Sequence, residues 1–205
     1  MHTTRAKLEG RLFATAQQQQ GYFTAQQAIE AGYHDSIHPY HVRKGNWTRE
    51  ERGVYRLVKY PVSNDAHYVP WSLWSRNRQG VSQGTFSHAT ALSMYELSDA
   101  NPAKIHMTVP PGFRRHSKIP KFLVLHKGVL SPEDIEEREG YRVTRPIRTV
   151  RDLLHEGATA RDIIRQTLEE GFARGLITRK EVEALPAEFP LEKDLFKGLI
   201  RKGRH

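Results

Sequence analysis

The chain has 205 residues, 38% hydrophobic and 27% charged, with a formal net charge of +9 and no cysteine. This balance excludes a disordered chain, and the missing cysteine excludes disulfide stapling, Cys-ligated zinc or iron–sulfur scaffolds and thiol nucleophiles. No apolar run approaches the roughly 18 residues of a membrane span, and the N-terminus has no apolar stretch leading to a small-residue cleavage site, so a soluble cytoplasmic protein is expected.

The positive charge is unevenly spread. Residues 1–60 carry a net +4, residues 61–130 a net +5, and residues 131–205 are neutral. A basic surface of this kind steers polyanions and supplies phosphate contacts, without sequence specificity of its own.

In chain order, the spacing predicts a helix from Thr4 to Gln19, with Leu8, Leu12 and Phe13 near one stripe, Ala14 and Ala16 beside them, and a stop at Gly21. Thr24 reads as the N-cap of a short second helix with Gln27 completing a capping box, Ala28, Ile29 and Ala31 buried, and Gly32 as its end. A third short helix opens between Asp35 and His38, because Pro39 fits only a first turn, and closes at Gly45. Trp47, a basic turn and a strand at Val54–Val58 follow. Three short helices, then a basic turn and strand, is the order of a winged helix-turn-helix.

Past Pro61, a helix or apron is expected across Ala66–Arg78, and a stronger helix from Ser87 to Leu97 with Ala91, Leu92, Tyr95 and Leu97 packing inward. Strands are expected at 104–110, 121–127 and 140–148, the first two separated by an exposed basic loop. The acidic run 132–139 reads as a charged helix surface. The third strand leads into TVRDLLHEG, and helices are expected over 158–175, 178–186 and 190–200. The fold class expected is α+β: a winged helix-turn-helix domain at 1–62, then a mixed α/β domain at 63–205 with a helical C-terminal tail.

Two stretches carry a likeness to a known family: GYFTAQQAIEAG followed by RGVYRLV, and SHATALSMYELSDANPAKIHMTVPP followed by GYRVTRPIRTVRDLL. In this order they resemble the AbiEi-type antitoxins of type IV toxin–antitoxin systems, over roughly residues 20–155. Thr24, Gln27 and Ala28 match the family's second helix, and Gly53, Val54 and Tyr55 its turn-to-strand signature. Ser87, Thr90, Ala91 and Leu92 match the opening of its second domain, and Thr149, Asp152 and Leu153 the close. The resemblance implies a winged domain that binds the promoter of its own operon and a second domain required for antitoxin activity. The counterpart toxin is nucleotidyltransferase-like, and a stable complex with it is not assumed.

On the residues themselves, Ser36, Tyr40, His41, Arg43 and Lys44 are the base- and phosphate-reading candidates of the third helix. Gln26 and Gln27 stand at the N-terminus of the second helix, and Arg49, Arg52 and Arg56 belong to the wing, interrupted by Glu50 and Glu51. Arg114, Arg115 and Lys118, with His116 and Lys121, form a second basic cluster that faces either DNA or an acidic partner. His34, His38 and His41 lie at helical spacing but read as polar surface, so neither a metal nor any other cofactor is expected. Asp152 reads as a structural partner of Arg148 or Arg151. The chain has no Walker, dinucleotide-binding or zincin motif, the Ser87–His88 neighbours prove nothing, and only helices follow Leu154. No catalytic residue is assigned.

The expectation is therefore a non-enzymatic, sequence-specific DNA-binding repressor that doubles as antitoxin, meets the operator upstream of its own operon as double-stranded DNA, and self-associates there. The alternative is a protein-interaction module, or a nuclease-associated regulator, without operon-specific DNA binding.

Overall fold

The structure is a computed structural model and describes residues 2–99, 101–115 and 118–196, with side chains from residue 5 onward. Helix α1 spans His2–Gln17 and buries Leu12 and Ala16, while Phe13 and Ala14 turn outward, so the apolar stripe is narrower than the sequence suggests. After a turn with positive φ at Gln20 and Gly21, strand β1 (Tyr22–Thr24) appears where no strand was expected. Three residues are too few to show an alternation, and this strand exists only because β3 pairs with it.

Thr24 then caps α2 (Ala25–Ala31). Its hydroxyl accepts from the Gln27 amide at 3.1 Å, and the Gln27 side-chain oxygen accepts from the Thr24 amide at 2.8 Å. Gly32, at φ 107°, closes the helix in the left-handed conformation that a glycine adopts without strain. Ala28 and Ala31 are buried as expected, but Ile29 is exposed. A 3-10 turn (Asp35–Ile37) leads into α3 (His38–Arg43), with Pro39 in its first turn. Strands β2 (Trp47–Glu51) and β3 (Val54–Leu57) form the hairpin, and the sheet order is β1-β3-β2, all antiparallel. Helix α4 (Val69–Trp74), preceded by a 3-10 turn at Ala66–Tyr68, lies against these strands.

The remaining strands are β4 (Thr85–Phe86), β5 (Ile105–Val109), β6 (Leu123–Lys127), β7 (Ile135–Arg138) and β8 (Tyr141–Thr144), ordered β6-β5-β4-β8-β7. β5 and β6 run parallel, joined by the basic loop, and β4 runs antiparallel to β5 and parallel to β8. The acidic run is not a helix surface. It makes a 3-10 turn at Pro132–Asp134 and continues as β7, with Ser131 and Asp134 forming a capping box. Helices α5 (His88–Tyr95), α6 (Pro146–Glu156), α7 (Arg161–Ala173) and α8 (Arg179–Glu188) share a core of Leu92, Val150, Leu153, Leu168, Leu185 and Phe196. The helix expected over 190–200 begins as a 3-10 turn at Pro190–Glu192, and its last residues lie outside the described ones.

Two compact units result, one of residues 1–84 and 137–142, the other of 85–136 and 143–205. The boundary expected at residue 62 falls inside the first unit, because α4 packs on the three-stranded sheet. The fold is α+β, a winged helix-turn-helix followed by a mixed α/β domain with a helical C-terminal part.

Candidate nucleic-acid interface

Aromatic packing fixes α3 on its sheet. The indole of Trp47, 3% exposed, meets the edges of Phe23 at 4.9 Å and Tyr33 at 5.2 Å, and the His41 ring lies parallel to it at 4.5 Å. His38 is buried against Trp47 and Tyr55, and burial holds both imidazoles below their ordinary pKa, so neither carries charge at neutral pH. The three helically spaced histidines thus diverge: His38 goes to the core, His41 onto Trp47, and His34 stays in solvent beside Asp35 and Ser36. Among the described residues no cluster of histidines and carboxylates is arranged to hold a metal ion.

What α3 presents to solvent is Tyr40, 48% exposed, with Arg43 and Lys44 exposed at the helix end. Ser36 is exposed one turn earlier, where its hydroxyl bonds the His34 ring. On the hairpin, Arg49 and Arg52 are exposed, and Glu50 is drawn aside by the Thr48 hydroxyl at 2.8 Å. Gly53, at φ 73°, forms the tight turn of the wing.

Three candidates are held inside the unit: His41 by its stack on Trp47, and two more. Arg56 is only 9% exposed and donates to the Tyr60 carbonyl, with its guanidinium 5.8 Å from the centre of the Tyr22 ring; period-two alternation along β3 sends it to the covered face. Gln27 is committed to the capping box and to the Gln19 side chain at 3.1 Å, leaving Gln26 as the exposed glutamine of the α2 N-terminus, bonded to Glu30.

In the other unit, Arg114 and Lys118 are exposed, and Arg115 is half-buried with its pKa lowered by desolvation. His116 lies outside the described residues. A polar cluster that sequence reasoning did not foresee joins α5, β5 and β6. The His88 ring stacks on His126 at 3.6 Å, and His106 Nδ1 lies 3.0 Å from His126 Nε2. Thr108 donates to the Ser87 hydroxyl at 2.8 Å, and Ser87 bonds the His88 ring at 2.9 Å. His88 takes φ 53°, rare for a residue with a side chain, and desolvation drives its pKa down to about 3. The alternation of β5 and β6 carried the available signal: His106 and His126 occupy paired strands, but nothing in sequence gave the parallel register that joins them. Nearby, Arg148 bridges Asp152 at 2.9 Å and Asp134 at 2.8 Å, while Arg151 pairs with Glu188.

The winged helix-turn-helix thus presents an exposed basic helix end and an exposed basic hairpin. Residues 11–58, this winged segment, match the family described as "Transcriptional regulator, AbiEi antitoxin", which supports the resemblance read from the sequence. Among solved structures, the chain is similar to the RV2827C protein from Mycobacterium tuberculosis, at a TM-score of 0.57 and 14% identity. The likeness covers 97% of this chain and 78% of that one, and at such identity it is a likeness of fold. No curated protein matches the chain. The described residues include no helix long and apolar enough to cross a membrane.

Proposed function

We propose that the protein is a sequence-specific DNA-binding repressor that autoregulates the operon of a type IV toxin–antitoxin system and serves as its antitoxin. The observation that carries this reading is the shared exposure of Arg43 and Lys44 at the end of α3 and of Arg49 and Arg52 on the hairpin, all within the segment matched to the regulator family. In this proposal α3 enters the major groove of an operator half-site, Tyr40 and Ser36 hold phosphates, and the wing arginines lie along the backbone.

The winged domain supplies the DNA contacts, and the second domain supplies the antitoxin activity. Arg114, Arg115 and Lys118 extend the footprint or meet an acidic partner. The protein acts in the cytoplasm by binding, with no catalytic step of its own, and copies associate on the DNA. Its functional counterpart is a nucleotidyltransferase-like toxin, without a requirement for a stable complex.

Titration of the full chain against its own upstream DNA at several salt concentrations tests the reading. Tight retention that weakens steeply with salt and exceeds that of scrambled DNA is expected; equal affinity for scrambled DNA refutes operator recognition.

A further inference from the structure

The winged unit contains a cleft of about 580 Å³ between α1, the end of α3 and the hairpin. Leu12, Tyr33, Trp47 and Leu57 make its apolar lining, and Phe13 and Tyr60 flank it with rings 6.1 Å apart. Phe13 is 49% exposed, a large aromatic surface that the folded unit leaves uncovered. A volume of this size, mostly apolar with a few polar groups at its margin, suits a small ligand.

Charge at the margin narrows the ligand further. Arg5, Glu9 and Lys59 stand there. Arg5 holds Glu9 at 2.9 Å, which leaves Lys59 as a cation without an ion pair among the described residues. His41 also lines the cleft, and burial keeps its ring uncharged at neutral pH. The excess charge is positive.

We propose that this cleft binds a small planar aromatic carboxylate, its ring among Phe13, Tyr60 and Trp47 and its carboxylate on Lys59. Occupancy is read by α3: His41 already lies on the Trp47 indole, so a second ring seeking that surface displaces it, and the helix that carries Arg43 and Lys44 moves with it. The binding site stands on the cleft alone. Its regulatory consequence rests on the proposed DNA-binding function.

The test is calorimetric titration of the full chain with indole-3-carboxylate, with indole and tryptamine as neutral and cationic counterparts. The carboxylate is expected to bind at least tenfold more tightly than tryptamine. Phe13→Ser and Lys59→Glu, both at exposed positions and checked for folding by circular dichroism, are expected to weaken it at least fivefold. Lys59→Glu also reverses the preference between acid and amine. No saturable binding of the carboxylate, or binding unchanged in both variants, overturns the site. With the carboxylate saturating, affinity for the upstream DNA is expected to fall at least threefold; specific DNA binding that ignores the bound ligand overturns the coupling. A chain that binds the ligand but no DNA upholds the site and refutes the repressor reading instead.

Discussion

The His41 imidazole lies flat on the Trp47 indole, ring centres 4.5 Å apart and planes 17° from parallel. Through this contact the last turn of α3 is fastened to the first residue of the wing strand. Trp47 also meets Phe23, Tyr33, His38 and Tyr55, so it is the hub of the unit's core. Truncating a buried aromatic loses its transfer free energy and leaves a cavity, so Trp47→Ala is expected to destabilise the protein by about 3–5 kcal/mol. Urea denaturation of the variant checks this; a loss below about 1 kcal/mol would contradict the placement of Trp47 at the core.

The two basic groups of the winged unit are expected to separate in DNA titrations. Arg43→Ala with Lys44→Ala removes side chains from the end of α3 that reach base edges in the proposed pose, so preference for the operator over scrambled DNA collapses. Arg49→Ala and Arg52→Ala remove phosphate contacts, so affinity falls alike on every sequence and the salt slope drops by about one for each. If the wing variants lost preference and the helix variants lost only general affinity, the assignment of α3 as the reading element would be reversed.

Arg56 belongs to neither group. Its guanidinium is buried and donates to the Tyr60 carbonyl, so Arg56→Ala leaves that acceptor short of a donor inside the unit. Removing a buried, charged hydrogen-bond donor costs about 1–3 kcal/mol. The expected signature is a lower denaturation midpoint with an unaltered salt slope of DNA binding. A changed slope at unchanged stability would return Arg56 to the DNA-facing side.

The capping box of α2 is a further measurable feature. Thr24→Ala deletes the oxygen that accepts from the Gln27 amide, at an expected cost of about 1 kcal/mol, and Thr24→Ser is expected to restore most of it. Comparing the two midpoints in urea separates loss of the cap from loss of the methyl group, since both substitutions remove the methyl.

That capping box was legible because its signals are local: a hydroxyl, a side-chain amide three residues on, and a glycine at the helix end. The shortened α3 was legible for the same reason, since Pro39 has no amide hydrogen to donate. Arg56 escapes the sequence because an arginine beside a basic turn looks solvated until the face of β3 is known, and that face is set by pairing with β1. The acidic run 132–139 misled in a similar way. Its charges suit an exposed helix, but β7 is an edge strand of its sheet, where charged side chains are equally at home. The histidine cluster was beyond reach, because His88, His106 and His126 converge only through the parallel register of β5 and β6 and the start of α5.

That cluster gives the pH dependence of the second unit. His88 is driven down to about 3 first by desolvation, then by His126, His106 and Arg148 around it. His106 is lowered by desolvation and by His126 and Lys104, with Glu156 opposing. His126 is lowered by desolvation against the pull of Glu156 and Asp152. In the unfolded chain a histidine binds its proton near pH 6.5, while the folded His88 stays neutral until about pH 3. Below pH 6.5 the unfolded state therefore holds more protons, and stability falls as pH falls; above 6.5 the contribution is complete. The melting temperature is expected to drop between pH 7 and pH 5. His88→Asn retains a residue tolerant of the left-handed backbone at φ 53° while removing the titrating ring, so its drop is expected to be smaller. The same loss in both proteins over that interval would refute the role of His88. Calorimetric scans at half-unit steps of pH decide between the two outcomes.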